Sequence, residues 1–263
     1  MPALKVGIQL ASLRLPFPQA LLTAARLGAG AVEIDARGSI RPAELTRTAV
    51  RQLRKMLDDR NLRVAAVGFR TRRGYDVSDG LDARVEATRQ AMQMAYSLGA
   101  PVVVNHVGAV PTESQGDRWE LLVQVLTDLG RYGQKVGATL AAETGTESGA
   151  DLLRLIEALP PGSLTVNFDP GNLIVGGYSV REAAQALGPH VTHVHAKDAV
   201  PDVAQGRGIE VPLGRGMADF VELAATLEQQ GYAGWWTIER GPCDDPVGEI
   251  AQAVAYLRNL YEM

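Results

Sequence analysis

The sequence predicts a single closed (β/α)8 barrel over residues 1–263, and three observations support this fold class. Eight segments with strand character alternate with helical segments at nearly regular intervals. Glycine ends a helix just before a strand in repeated sequences such as L-G-A-G-A-V-E-I and G-Y-A-G-W-W-T-I-E. The strands are apolar on consecutive residues, as expected when both faces of a strand are covered. No Ser/Gly-rich linker or shift in composition divides the chain, so we predict one domain.

The elements follow from local signals along the chain. The predicted strands are Lys5–Leu10, Ala31–Ile34, Arg63–Gly68, Pro101–Asn105, Thr139–Glu143, Leu164–Asp169, Val191–Asp198 and Gly234–Glu239. The predicted helices are Pro18–Leu27, Pro42–Arg60, Leu81–Leu98, Arg118–Val136, Ala150–Leu159, the helix from Ser179 to Leu187, Phe220–Gln230 and Val247–Tyr261. Proline in the first turn begins two of them, a Pro-Pro pair stops the fifth, and Ser179 caps the sixth. The segment Ala199–Gly216 has no clear periodicity and is typical of a functional loop.

An open, doubly wound sheet is the alternative arrangement of these units. That fold would place a glycine-rich phosphate turn after the first strand, where the chain instead has Q-L-A-S-L-R. The closed barrel is therefore favoured. In such a barrel the C-terminal ends of the strands form the catalytic face.

Composition and charge limit the partners that we expect. The chain is 46% hydrophobic and 21% charged, with a net charge of −4 and a pI near 5.6. These values argue against duplex nucleic acid or an anionic membrane as a partner. A single cysteine and the lack of an apolar run of membrane-spanning length predict a cytoplasmic protein. The arginines Arg70, Arg72 and Arg73 indicate either a solvated loop or a contact for an anionic substrate group such as phosphate.

Histidine and carboxylate side chains lie at the ends of four predicted strands. His193 and His195 share one face of their strand because successive side chains point to opposite sides. Glu143, Asp169 and Glu239 end three other strands, so they converge with His195 at one edge of the sheet. Three carboxylates and an imidazole around one point would repel one another unless a cation lay among them. The sequence therefore predicts one divalent metal ion bound by Glu143, Asp169, His195 and Glu239.

Other polar residues near the strand ends are candidates for roles around the ion. His106 is interpreted as a substrate hydrogen-bonding group, a distant metal ligand or a histidine satisfied by its neighbours. His193 is interpreted as a residue that orients a ligand. Lys197 shares the face of the histidines and is expected to contact substrate or to form a structural ion pair. Glu33 is expected to anchor a substrate hydroxyl group.

These motifs together resemble the xylose-isomerase-like sugar isomerase and epimerase family of TIM barrels over nearly the whole chain. The matching segments are A-V-E-I at Glu33, A-A-E-T at Glu143, N-F-D-P-G-N at Asp169, H-V-H-A-K-D at His195, P-L-G-R-G around Arg215 and G-Y-A-G-W-W-T-I-E at Glu239.

The resemblance implies a manganese, magnesium, cobalt or zinc ion held by the four residues named above. It also implies that Glu143 and Glu239 are catalytic, exchanging a proton with a carbon next to a carbonyl while the metal stabilises an ene-diolate. Arg215 is expected to bind substrate. The family commonly has a histidine where this chain has Asn172, and an amide can hydrogen-bond a hydroxyl group but cannot take a proton. With four histidines in all, the chain also lacks the ligands for the trinuclear zinc site of related abasic-site endonucleases.

Three functional hypotheses are compatible with the sequence. The first is a metal-dependent isomerase or epimerase of a sugar or sugar derivative. The second keeps the metal and base in a dehydratase or lyase that acts on a keto-sugar or cyclitol. The third is a barrel that binds a sugar without chemistry. All three imply a small-molecule carbohydrate ligand, and the sequence leaves the metal identity and the formation of a homo-oligomer open.

Overall fold

A computed structural model describes residues 4–38, 40–202 and 207–260. Its eight parallel barrel strands are β1 Lys5–Gln9, β2 Ala31–Asp35, β3 Arg63–Gly68, β4 Val102–Asn105, β5 Thr139–Glu143, β6 Thr165–Phe168, β7 Val191–Ala196 and β10 Trp235–Ile238. They pair in the order β1-β10-β7-β6-β5-β4-β3-β2, and β1 pairs with both β2 and β10, which closes the sheet. The predicted single (β/α)8 TIM barrel is confirmed.

Helices between the strands form the outer layer. They are α1 Phe17–Arg26, α2 Arg47–Asp58, α3 Leu81–Leu98, α4 Asp117–Val136, α5 Gly149–Glu157, α6 Pro170–Val175, α7 Val180–Leu187, α8 Phe220–Gln229 and α9 Pro246–Arg258. Their apolar faces pack on the outside of the barrel in one large core. A small cluster of Ala66, Val102, Val104 and Ala141 is packed separately from that core. Among the described residues, no helix combines the length and the apolar character that a membrane crossing needs.

Two predicted elements differ from the observed ones near the N-terminus. Leu10 is not the end of β1 but the start of a 3-10 turn, Leu10–Leu13. The predicted helix from Pro42 to Arg60 is divided into a 3-10 turn, Pro42–Glu44, and helix α2. Thr46 causes the division because its hydroxyl accepts a hydrogen bond from the Ala49 N–H, so a new helix begins there.

The segment predicted as a functional loop without clear periodicity, Ala199–Gly216, contains most of one short strand and all of another. Strand β8, Asp198–Val200, pairs antiparallel with β9, Ile209–Val211. The cause is Asp198, whose buried carboxylate accepts hydrogen bonds from the N–H groups of Ala199, Gly214, Gly216 and Ala218. These bonds fold the segment back over the barrel. Residues 203–206 of the predicted loop, and Tyr261 at the predicted end of the last helix, lie outside the described residues.

Helix α6 follows β6 directly and was not predicted. Asp169 caps it by accepting a hydrogen bond on Oδ1 from the Asn172 N–H at 2.8 Å, and Pro170 occupies the first helical position. The helix lies close to β7, because a Cβ on Gly171 would come within 2.7 Å of Lys197 Cγ. This short turn therefore holds Asp169 and Asn172 at the C-terminal end of the barrel.

Candidate metal and active site

The four predicted metal ligands lie together at the C-terminal ends of four barrel strands. Glu143 is the last residue of β5, Asp169 follows β6, His195 lies near the end of β7 and Glu239 follows β10. Each offers one ligand atom, and these four atoms all lie within 4.8 Å of one another. All four residues are buried, with exposed fractions of 6% or less.

Nitrogen Nδ1 of His195 lies at the centre of the cluster. It is 2.7 Å from Glu239 Oε2, 3.2 Å from Glu143 Oε1 and 3.9 Å from Asp169 Oδ2. Burial by itself would lower the pKa of His195, but the negative charges of Glu33 and Glu239 outweigh burial and raise that pKa well above its usual value. In this arrangement the imidazole carries the positive charge that compensates the carboxylates.

Asp169 is the carboxylate of the cluster that the positive charge of His195 compensates least. Its Oδ1 caps α6, whereas its Oδ2 is fully buried and accepts no hydrogen bond. Burial raises the pKa of Asp169 to about 7; Lys197 opposes the rise, and Glu239 and Glu143 add to it. The site thus disfavours the ionised form of Asp169, whose carboxylate lies close to those of Glu143 and Glu239.

A divalent cation fits this arrangement. It would bind Asp169 Oδ2 directly, whereas Lys197 Nζ lies 3.5 Å from that oxygen, and it would relieve the repulsion among Asp169, Glu143 and Glu239. Three carboxylate oxygens and one imidazole nitrogen are ligand types that suit manganese, magnesium, cobalt and zinc. The residues present are therefore compatible with one metal ion, while its identity stays open.

Glu33 lies on the opposite side of the His195 ring. Its Oε2 is 2.7 Å from His195 Nε2, and its Oε1 accepts a hydrogen bond from Gln9 Nε2 at 3.0 Å. Burial would raise the pKa of Glu33, but the positive charge of His195 and contacts with His193 and His195 lower it strongly. Glu33, His193 and His195 form a second group of ligand types. Because both oxygens of Glu33 already have partners, this second group lacks the uncompensated charge that favours an ion at Asp169.

Arg70 reaches the site from the loop after β3. Its Nη2 contacts Oε1 of Glu239 in a short ion pair and lies 3.4 Å from Oε1 of Glu143, and 46% of its side chain is exposed. Burial would raise the pKa of both glutamates, but neighbouring cations prevail. The charges of His195 and Lys197 lower the pKa of Glu239 to about 2. Contacts with His106 and His195 hold that of Glu143 well below its usual value. Both glutamates are therefore carboxylates at neutral pH.

Three of the predicted substrate-binding residues also line this site. His106 is half-buried, with Nε2 3.0 Å from Glu143 Oε2. Asn172 donates from Nδ2 to Glu143 Oε1 at 3.2 Å and accepts on Oδ1 from Lys197 Nζ at 3.1 Å. Lys197 Nζ also lies 3.3 Å from Glu239 Oε1. Burial would lower the pKa of Lys197, but the carboxylates of Asp169 and Glu239 outweigh it and raise that pKa.

The structure does not place Arg215 or Glu33 beside His106, Asn172 and Lys197 in the lining of the site. Arg215 is exposed on the loop that Asp198 folds, and within the described ranges its side chain is joined to the cluster by no hydrogen bond or ion pair. Glu33 is 3% exposed, and both of its oxygens have partners within the barrel. Their predicted roles in substrate binding stay predictions.

The sequence predictions missed several residues that contact the site. Arg70 was noted only as part of an arginine cluster, and the structure separates that cluster, because Arg73 pairs with Asp79 on the loop. Gln9 and Asn167 were not singled out, although Asn167 Nδ2 lies 2.9 Å from His195 Nδ1. All three occupy or closely follow a strand end, so the strand-end rule that identified the carboxylates would have identified them also.

Comparison with known proteins gives a family and several relatives. A family model described as xylose isomerase-like TIM barrel matches residues 21–260. Among curated proteins, an inosose dehydratase from Geobacillus thermodenitrificans is 25% identical over 222 residues, which cover 71% of this chain and 72% of that protein.

Solved structures with the same fold include three informative examples. A xylose isomerase domain protein from Planctomyces limnophilus is 27% identical, with a TM-score of 0.87 over 99% of this chain and 98% of that one. A xylose isomerase-like TIM barrel protein from Mycobacterium smegmatis, solved in complex with magnesium, is 18% identical with a TM-score of 0.75, covering 98% and 96%. An L-ribulose 3-epimerase is 19% identical with a TM-score of 0.74, covering 98% and 97%. At these identities the last two share the fold alone.

Proposed function

Because the chain belongs to the xylose isomerase-like TIM barrel family, we propose that it is a divalent-metal-dependent isomerase or epimerase of a sugar or sugar derivative. The reaction moves a proton at a carbon next to a carbonyl. One observation carries the proposal: a single nitrogen, Arg70 Nη2, contacts both Glu143 and Glu239. The two carboxylates therefore face one small space from different strands, and a substrate carbon in that space would lie between two bases.

Glu143, Asp169, His195 and Glu239 are the residues that would hold the ion. A bound divalent ion supplies a Lewis acid that stabilises negative charge on substrate oxygens, which a carboxylate base alone cannot do for so weakly acidic a proton. The magnesium complex of a protein with this fold supports the choice of a divalent ion.

The side chains of this protein supply the proton transfers. Glu143 and Glu239 are ionised at neutral pH, so either can remove a proton from carbon, and the one that has received a proton can return it. Return of the proton to the same carbon on the same face restores the substrate. Return to the neighbouring carbon, with the hydroxyl proton of that carbon passing to the former carbonyl oxygen, moves the carbonyl. Inversion of the carbon needs delivery from the opposite glutamate, which must first take up a proton from water, while the first glutamate returns the proton that it gained to water. His106 and Asn172 hold Glu143 in place through its two oxygens.

Arg70 and Lys197 provide positive charge on the two sides of the carboxylate pair. Arg70 is partly exposed and contacts both glutamates, and Lys197 is buried beside Glu239 and Asn172. Substrate hydroxyl and carbonyl oxygens would take the place of these carboxylate contacts when a ligand enters. A cation held at an oxygen that becomes negative stabilises the transition state more than the ground state.

Dehydration of a keto-sugar or cyclitol is the second candidate. A curated relative at 25% identity is an inosose dehydratase, which favours a cyclic keto-polyol as substrate. The first step, removal of a proton next to the carbonyl, is the same in both reactions. The candidates differ only in the second step, because elimination also needs a hydroxide to leave from the next carbon.

Incubation in deuterated water with Mn²⁺ separates the hypotheses. Ketoses and inososes are offered to the protein, and the products are analysed by NMR and mass spectrometry. Deuterium on carbon without loss of water indicates isomerisation or epimerisation, whereas loss of water indicates dehydration. A ligand that binds but gains no deuterium and loses no water indicates a barrel without chemistry and contradicts both enzyme proposals.

Variants of the two glutamates test their roles. At saturating Mn²⁺, we expect Glu143→Gln and Glu239→Gln to lower kcat by about 10²–10⁴-fold, because each removes a proton-transfer group. Glu222→Gln is the matched control, since Glu222 pairs with Arg181 on the outer helices. Unchanged turnover in either glutamate variant would contradict the mechanism.

A further inference from the structure

We propose that Glu33 is a positioning residue that fixes the His195 ring for metal binding, and that it does not anchor substrate. The inference rests on the metal site in the proposed function. Its basis is the 2.7 Å contact between Glu33 Oε2 and His195 Nε2, on the side of the ring opposite to the carboxylate cluster.

The two nitrogens of one imidazole have different tasks in this geometry. Nε2 lies next to Glu33 and Nδ1 faces Glu143, Asp169 and Glu239. When an ion takes the place of the Nδ1 proton, Nε2 would keep its proton and donate it to Glu33, and the Nδ1 lone pair would be directed at the ion. The ring nitrogen that binds a metal is commonly set by the hydrogen bond that the other nitrogen makes, and a carboxylate partner also makes the ligand more basic. Glu33 thus favours the one tautomer of His195 that can bind an ion at the cluster.

A hydrogen-bonded chain holds Glu33 in its turn. The Arg240 N–H donates to Ser12 Oγ at 3.0 Å, and the Ser12 hydroxyl donates to Gln9 Oε1 at 2.7 Å. Gln9 Nε2 then donates to Glu33 Oε1 at 3.0 Å. Since Arg240 follows Glu239 directly, this series of hydrogen bonds connects the backbone beside Glu239 with the ring of His195, and both residues are proposed metal ligands.

Packing leaves no room for a substrate group at Glu33. The residue is 3% exposed, and its two oxygens are occupied by Gln9 and His195. The neighbouring strand also lies close, because a Cβ on Gly68 would come within 2.8 Å of Glu33 Oε1. A hydroxyl group from a ligand would have to displace one of these partners, whereas a positioning role uses all of them.

Binding of Co²⁺ to the protein tests this role without an assay of turnover. Glu33→Leu removes both the charge and the acceptor, and we expect it to weaken Co²⁺ binding about 10–100-fold, the usual effect of losing a carboxylate that orients a histidine ligand. Glu33→Gln keeps an acceptor but loses the charge, so we expect an intermediate loss. Thr88→Val is the control, because it removes a buried hydrogen bond to Tyr75, between residues that make no contact with the cluster.

Proton NMR of the Co²⁺ protein gives a second readout that a purely structural role would not change. The wild type should show one hyperfine-shifted, slowly exchanging N–H signal from a histidine ligand. In both Glu33 variants this N–H should exchange faster or disappear, and in Thr88→Val it should be retained.

The outcomes separate this inference from the proposed function. If the wild type binds Co²⁺ and both Glu33 variants bind it equally well with an unchanged N–H signal, Glu33 does not position His195 and only this inference is overturned. If the wild type binds no Co²⁺, the metal site itself fails and the proposed function falls with it. A loss of Co²⁺ affinity that is largest in Glu33→Leu, smaller in Glu33→Gln and absent in Thr88→Val supports the inference.

Discussion

Replacement of Asp169 by asparagine should stabilise the metal-free protein at the expense of metal binding. Asparagine has the same shape and keeps an oxygen that can cap α6 as Asp169 Oδ1 does. The change removes one negative charge from a buried cluster in which Asp169 Oδ2 accepts no hydrogen bond. The variant therefore tests whether this carboxylate is held in place for a cation.

The size of the effect follows from the pKa of Asp169. That pKa rises from an ordinary value of 3.8 to about 7 in the folded protein. Between these values the folded state binds more protons than the unfolded state, so the free energy of unfolding falls as pH rises through 7. At about 1.4 kcal/mol per pKa unit, the loss is at most about 4 kcal/mol at pH 8 and above. Asp169→Asn should therefore match the wild type near pH 4 and exceed its stability at pH 8.

Urea denaturation of chelator-treated protein at several pH values measures this difference. Addition of Mn²⁺ should then stabilise the wild type through binding to the folded state and leave Asp169→Asn unaffected. Asp151→Asn is the control, because contacts with Ser148 and Arg154 lower the pKa of that half-buried carboxylate. It should give no gain at pH 8. A metal-free Asp169→Asn protein that is less stable than the wild type at pH 8 would refute the reasoning.

Further predictions concern residues around the cluster. Burial raises the pKa of Glu147 from 4.5 to about 7. Urea denaturation should therefore show Glu147→Gln more stable than the wild type by at most about 3 kcal/mol at pH 8.5 and little different at pH 5. A gain in stability at pH 5 would show that the raised pKa is not its cause. Arg70→Met should lower kcat/KM about 10–100-fold in steady-state assays, as expected for loss of a charged hydrogen bond. The control Arg73→Met should leave kcat/KM within about twofold of the wild type. Equal losses in the two variants would show that the arginines act by folding the loop after β3 and not through a contact with substrate. Asp198→Ala should lower the free energy of unfolding by about 2–4 kcal/mol, because four N–H groups lose their acceptor. An unchanged midpoint of urea denaturation would contradict this and show that water replaces the carboxylate as the acceptor.

The barrel and the cluster of carboxylates and histidine were predictable because both follow from local patterns. Apolar strands alternate with amphipathic helices, and a polar residue at the end of a parallel strand must lie at one edge of the sheet. This rule placed Glu143, Asp169, His195 and Glu239 together without knowledge of any loop. The same rule was applied too narrowly at Arg70, which stands two residues beyond the end of β3.

The remaining features depend on contacts between residues far apart in the chain. Strands β8 and β9 form because the Asp198 carboxylate collects N–H groups up to Ala218, which no local periodicity reveals. The partner of Glu33 is His195, which lies 162 residues away. Arg215 was chosen for its motif, and its exposed position depends on how the segment around Asp198 folds.

The most direct test of the account is the position of an ion in the protein. Crystals grown with Mn²⁺ should show, in diffraction data collected at the manganese edge, one anomalous peak within bonding distance of Glu143, Asp169, Glu239 and Nδ1 of His195. A peak at a different place, or none at these four residues at millimolar Mn²⁺, would contradict the central claim that they form one metal site.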